Sequence, residues 1–348
     1  MSMIKYIIRR LIAMIPVIFG VLTLTFILSR LMPGDPVLAS LLARGINHPN
    51  QEHYEAMLVE LGLDQPLIIQ YFRYLAELFT GNWGISVSIK AGEPVWDLVW
   101  ERLPRTVDIA IFSILIAAII GVRAGVISAK HRNKSRDTIV RGLALVGVSI
   151  PVFFFGMLLQ YFIAYRLSEV LGFRTFPAIG YKSMEYPDPP FVTGFRIWDS
   201  LFSGQIYLIT DYLWHLILPV FCLSFISIAG ITRQSRSSML EVLEQDYVRT
   251  ARAKGCKEKD VINTHALKNS LIPTVTVIGL SFAGLLSGAV LTETTFELNG
   301  VGDLLIASIT GLDYWVLSAI VFVITIMFVV LNLITDVIYA ILDPRIVY

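Results

Sequence analysis

Asp246-Tyr-Val-Arg-Thr-Ala-Arg-Ala-Lys-Gly255, followed by Val261-Ile-Asn-Thr-His-Ala-Leu267, forms the middle of a basic stretch, residues 233–272. The stretch separates two apolar runs, each long enough to cross a bilayer. Residues 237–253 are good helix formers, with Met239, Leu240, Val242, Leu243, Tyr247, Val248 and Ala251 on an apolar side. Arg249, Arg252 and Lys254 fall on the polar side. Gly255 ends this helix, because glycine adopts positive φ without steric penalty. A second amphipathic piece at 258–270 leads to Pro273. Helix, glycine turn, helix is a compact knob suited to a groove on a soluble subunit. The plainer reading is a loop whose eight Lys/Arg only set topology. That role requires neither an ordered apolar face nor a glycine at the turn.

Outward from this loop, the chain is 55% hydrophobic and 16% charged, a balance that excludes an ordinary soluble domain and predicts a polytopic membrane protein. Six segments have the length and apolarity of spans, at about 7–31, 105–128, 140–165, 213–232, 272–292 and 315–341. The first is too long for a signal-peptide core, and Met32-Pro-Gly-Asp-Pro36 replaces a small-residue cleavage site. If the N-terminus, Arg123, 129–141, 233–271 and the C-terminus from Asp336 onward share one side, that side carries 18 of the 28 basic residues and 8 of the 27 acidic ones. The positive-inside rule then predicts six helices with both termini cytoplasmic. The expected organisation is an N-terminus and first span at 1–31, an extracytoplasmic segment at 32–104, a core at 105–341 containing the loop 233–271, and a tail at 342–348.

Within the first outer segment, Leu67, Ile68, Tyr71, Leu75 and Leu78 recur at helical spacing after Pro66, predicting one short amphipathic helix. The second, 166–212, is rich in proline and aromatics and predicts irregular chain over the mouth of the bundle, either as a plain cap or facing substrate. Pro16, Pro151 and Pro219 fall inside spans and Pro273 opens the fifth, where kinks are expected. Gly279, Ala283, Gly284, Ser287 and Gly288 of the fifth span suit close helix approach or pore lining.

Between their interfacial ends the spans contain almost no ionisable residues: Asp108 and Arg123 lie near the two ends of the second, His215 starts the fourth, and Asp336 lies toward the end of the sixth. A proton- or sodium-coupled carrier needs an intramembrane relay, and a channel needs a filter or charged ring; the sequence displays neither. It also contains no phosphate loop for ATP, no zinc-type histidine spacing and no nucleophile elbow. No catalytic residue, metal site, cofactor or nucleic-acid partner is expected on this chain. Cys222 and Cys256 fall at different depths, so no disulfide is expected.

The loop resembles the EAA loop of ABC-transporter permeases, in the version of the dipeptide/oligopeptide branch. Arg249-Thr250-Ala251 occupies the EAA place, Gly255 is the glycine, and His265-Ala266-Leu267-Lys268 occupies I-x-L-P, with lysine replacing the final proline. Leu31-Met-Pro-Gly-Asp-Pro36, Leu61-Gly-Leu-Asp-Gln-Pro66, Glu101-Arg-Leu-Pro-Arg-Thr106, Glu293-Thr-Thr-Phe296 and Leu342-Asp-Pro-Arg-Ile346 are similar to the B-type subunit in the same order. Asn299-Gly-Val-Gly302 stands where that family has Pro-Gly-Leu-Gly.

The resemblance implies an all-α, six-helix permease of the type I importer fold in the cell membrane. It implies four kinds of surroundings: a second, C-type permease, two cytoplasmic ATPases carrying ATP and magnesium, an extracytoplasmic solute-binding protein, and the lipid bilayer. Coupling to an ATPase would fall on Asp246, Tyr247, Arg249, Thr250, Ala251, Arg252, Ala253, Lys254, Gly255, His265 and Leu267. The implied cargo is a di- or oligopeptide; oligosaccharides and nickel chelates are the alternatives within the branch, and an ion-coupled carrier is the alternative outside it.

Overall fold

The computed structural model describes residues 3–342. Among these residues there is no strand, only an isolated bridge between Ile85 and Pro94. Helix α1 (Met3–Leu31) leans on the bundle through a narrow stripe in which Leu22 and Phe26 are buried. The Pro-Gly-Asp-Pro motif that follows is a helix start. Asp35 Oδ1 accepts from Val37 N (2.8 Å) and Leu38 N (3.2 Å), and Pro36 opens α2 (Pro36–Ala43). Helix α3 (Gln51–Glu60) is capped by Asn50, and Val37, Leu41 and Met57 form a small core between α2 and α3. The amphipathic helix read at 67–78 is α4 (Leu67–Thr80), tied to α1 by Tyr71–Thr23 (2.7 Å) and Tyr74–Leu22 O (3.1 Å). Helices α2 and α3 depart from the single helix expected in this segment; both are short and take their starts from caps rather than from periodicity.

The second span is α5 (Val95–Lys130). It begins ten residues before the apolar run, because Val95, Leu98 and Val99 bury against Val301, Leu304 and Val316. The 104/105 boundary therefore falls inside a continuous helix, with Pro104 in it. The expected third span is not one helix. It is α6 (Ser135–Ser149) and α7 (Val152–Leu171), bent by 104° at the break. Pro151 restricts the residue before it, and Ile150 is extended (φ −89°, ψ 126°). Helix α7 contains a π-helical stretch at Gln160–Arg166. After an irregular segment and α8 (Arg196–Phe202) comes α9 (Ile206–Leu243). Its 38 residues span about 57 Å, nearly twice the hydrocarbon core.

Helix α9 stops at Glu244–Gln245, so the helix expected over 237–253 is two pieces, the end of α9 and α10 (Asp246–Ala253). The second piece is likewise not separate. It is the start of the fifth span, α11 (Glu258–Leu286), with Pro273 inside the helix rather than at its head. Helices α12 (Val290–Phe296) and α13 (Val301–Thr310) follow at the opposite end, then α14 (Tyr314–Leu342). The C-terminal motif beyond Leu342 lies outside the described residues. Among the described residues, five helices, plus the bent α6–α7 pair, thus have the length and apolarity of spans.

The bundle is built on the α5–α9 pair. A Cβ added at Gly121 would sit 2.8 Å from Ile231 Cγ2, and one at Gly125 2.8 Å from the Thr232 carbonyl. These two glycines, four residues apart, let the helices touch. Of the fifth-span residues, Gly279 does the same against Thr335 of α14, whereas a Cβ at Gly284 would meet nothing within 4 Å. Around the pair lies the main core, with Ile109, Tyr212, Leu216, Leu223, Ile231, Leu286 and Phe296.

Candidate coupling site

The knob is assembled at the bundle end that carries the basic loops. Val248 and Ala251 of α10 bury against Met239 of α9, Ala129 of α5, and Val261, Ile262 and Ala266 of α11. The apolar face of α10 is therefore taken up by its own chain. What remains at the surface is polar: Asp246, Tyr247, Arg249, Thr250, Arg252, Ala253, Lys254, Gly255 and His265 are exposed, Leu267 is half-buried and Ala251 is buried.

The turn is held locally. Gly255 has φ +79°, and a Cβ there would meet nothing within 4 Å. Glycine is needed for its dihedral, not for space. Gly255 N donates to Arg252 O (2.9 Å) and Cys256 N to Ala251 O (3.3 Å), closing the end of α10. Across the turn, Arg252 makes a two-pronged ion pair with Glu258 (Nε–Oε2 3.2 Å, an outer guanidinium nitrogen to Oε1 2.9 Å). Asn269 Nδ2 donates to Tyr247 Oη (2.8 Å), joining α10 to α11. Arg252, expected on the docking face from its place on the polar side, is also the brace of the turn.

Two contacts fix this end of the bundle that the sequence did not disclose. Asp137, fully buried at the start of α6, accepts from Arg236 of α9 (2.7 and 2.8 Å), from Ser128 Oγ (2.6 Å) and from Asn133 N (2.9 Å). Arg132 pairs with Glu244 at the α9–α10 break (2.9 Å). The only sequence signal was an isolated acid in a basic segment.

The opposite end is clamped by buried carboxylates. Asp313 Oδ2 accepts from Ser86 Oγ (2.7 Å) and the backbone N–H groups of Val87 (2.9 Å), Ser88 (3.1 Å) and Ile89 (3.4 Å). Glu293, also fully buried, accepts from Gly302 N (2.7 Å) and the Thr106 hydroxyl. A Cβ at Gly300 would lie 2.3 Å from Glu293 Oε2, which explains the Gly-x-Gly at 300–302. Burial pushes the Glu293 carboxyl up to about 7.

The irregular segment ahead of α8 is fastened over this end by Gly180 N to Phe296 O (2.8 Å) and by Gln160 to the carbonyls of Ala178 (2.9 Å) and Thr295 (2.7 Å). Tyr181 lies under the Arg105 guanidinium at 4.0 Å, with Lys182 and Arg196 near the same ring. Asp188 bridges Lys182 and Arg196; burial alone would raise its carboxyl, but these two cations hold it below the usual range. In the bundle interior Asp108 accepts from Tyr212 Oη (2.9 Å).

The family described as binding-protein-dependent transport system inner membrane component matches residues 121–348, and its N-terminal companion matches 3–110. The dipeptide transport system permease protein DppB of Alkalihalophilus pseudofirmus is 38% identical over 99% of this chain and 100% of its own length. The di/tripeptide permease DppB of Pseudomonas aeruginosa is 41% identical over 99% of both chains. The oligopeptide permease AppB of Bacillus subtilis is 36% identical over 99% of this chain and 100% of its own. Among solved structures, a chain of the inward-facing MetNI methionine ABC transporter superposes with a TM-score of 0.54 at 15% identity, covering 72% of this chain and 99% of its own; that likeness is one of fold. On sequence and fold together, the chain belongs to the inner-membrane permease components of binding-protein-dependent ABC importers, in their dipeptide/oligopeptide branch.

Proposed function

We propose that this permease moves a di- or oligopeptide, handed over by a solute-binding protein, through a path it shares with a second, homologous permease. The polar surface of α10 and the Gly255 turn, with His265 and Leu267 beside them, seats on one of two ATPase subunits. The observation that carries this reading is the continuity of the knob with the spans. Helix α9 runs unbroken from the bundle interior to Leu243, and α11 runs unbroken from Glu258 to Leu286. With α10 packed between them, a displacement of the knob by a closing ATPase pair tilts two spans at once. ATP and its magnesium belong to the partners, and the chain responds through differential contact in the two states. The names of the relatives support peptide as cargo. The positive-inside distribution supports a cytoplasmic location for the knob and both termini.

The test is Gly255→Pro in the assembled importer. Proline cannot adopt φ +79°, so the variant is expected in the membrane with ATP hydrolysis no longer accelerated by loaded binding protein and with uptake lost. Normal peptide uptake by this variant would remove the coupling assignment. Isothermal calorimetry of the cognate binding protein against peptide and oligosaccharide panels tests the cargo separately; heat with oligosaccharides alone would overturn the peptide reading.

A further inference from the structure

The 104° bend between α6 and α7 leaves a cavity of about 600 Å³ between α6 and the basic end of α9. It is two-natured. Ala144, Leu145 and Val148 give it an apolar wall, with Leu145 70% exposed and Val148 52% exposed. At its mouth stand Arg141 and Arg233, both exposed and neither with a carboxylate partner among the described residues. Arg236, the third arginine of the lining, is already committed to Asp137. Thr232, 3% exposed, also contributes to the lining. The turn leading into α6 adds Lys130, Arg132, Lys134 and Arg136 on the same side.

We infer that this groove binds an anionic phospholipid of the leaflet facing the knob. Its phosphate would sit between Arg141 and Arg233, and an acyl chain would lie along Ala144, Leu145 and Val148. Two guanidinium groups without counter-charges at a membrane boundary call for an anion, and guanidinium matches phosphate in geometry. A long apolar wall continuous with that anion site calls for an amphiphile rather than a free ion. Basic pockets between membrane helices on the cytoplasmic side have this form. The lipid would thereby brace α6 against α9 beside the Asp137–Arg236 latch. A second permease subunit covering the same wall is the competing occupant, but it would need acidic groups opposite both arginines.

The experiment uses the full chain in the assembly in which it purifies, delipidated and exposed to phosphatidylglycerol or phosphatidylethanolamine of matched acyl chains. Retained lipid is counted by native mass spectrometry. The wild type is expected to retain phosphatidylglycerol about tenfold over phosphatidylethanolamine, and R141Q/R233Q to lose most of that preference. Leu145→Trp, which fills the groove without changing charge, should lower retention of both lipids. Arg44→Gln, at the opposite end, should change nothing. Equal retention of the two lipids, or an undiminished preference in R141Q/R233Q, would overturn the inference. So would binding of inorganic phosphate without any retained lipid, or efficient cross-linking of Leu145→Cys to a second permease with no lipid bound. None of these outcomes bears on coupling at Gly255, so failure here is distinguishable from failure of the importer reading.

Discussion

Arg252 was legible as a basic residue on a polar helix face, but its partner was not. Glu258 lies across a turn whose geometry only Gly255 permits, so the ion pair exists only once the chain doubles back. An exposed pair of this kind contributes about 0.2–1 kcal/mol, enough to bias a turn but not to fold it. Arg252→Glu is expected to loosen the turn by placing two carboxylates together, and to weaken co-purification of the ATPase at low salt. The exchange Arg252→Glu with Glu258→Arg separates the two roles: restored co-purification assigns Arg252 to the brace, and persistent loss assigns it to the partner surface. Glu293 offers a different test. Its folded-state value of about 7 lies above the ordinary 4.5, so the folded protein holds a proton that the unfolded chain has released. Stability from this group is greatest below about 4.5 and falls as pH rises toward 7 and beyond. Thermal unfolding in detergent should show that decline in the wild type and a flatter profile in Glu293→Gln; identical slopes would contradict the assignment.

At the scale of elements, hydropathy located the spans and misplaced their ends, for one physical reason. A window of apolar residues reports where lipid is, whereas a helix continues wherever its side chains find a partner. Helix α5 starts early because Val95, Leu98 and Val99 meet α13 and α14. Helix α11 starts at Glu258 because Val261, Ile262 and Ala266 meet α10. The bend at Ile150–Pro151 was legible as a proline, but its 104° size depends on where α6 packs. The clamp at Asp313 belongs to this scale too, since it joins the 84–90 turn to the start of α14. Asp313→Ala would strand the N–H groups of Val87, Ser88 and Ile89, at about 1–3 kcal/mol for each that stays buried. The expected readout is rapid proteolysis within 84–92 in a protein whose other spans remain protected. Breaking the Asp137–Arg236 pair with Asp137→Ala leaves a partly buried cation and is expected to cost about 3–5 kcal/mol, read as a lowered unfolding temperature.

For the whole molecule, uptake through the assembled importer is expected to stop with vanadate and to persist with an uncoupler; the reverse would assign the energy to an ion gradient and not to ATP. That expectation was already in the sequence, because length of apolar run, charge asymmetry, absent phosphate loop and the spacing around Gly255 are local properties of the chain. So were the membrane class, the helical fold and the family, and so was the glycine itself, whose dihedral requirement belongs to one residue. The tertiary structure decided which face of α10 is left for a partner, because only packing on α5, α9 and α11 determines that the apolar side is used internally. It also decided the brace at Glu258, the cradle around Glu293, and the groove beneath Arg141 and Arg233. The groove brings together helices remote along the chain, as does the clamp of Ser86 on Asp313, 227 positions apart. No local pattern encodes such a meeting, and the fold alone supplies it.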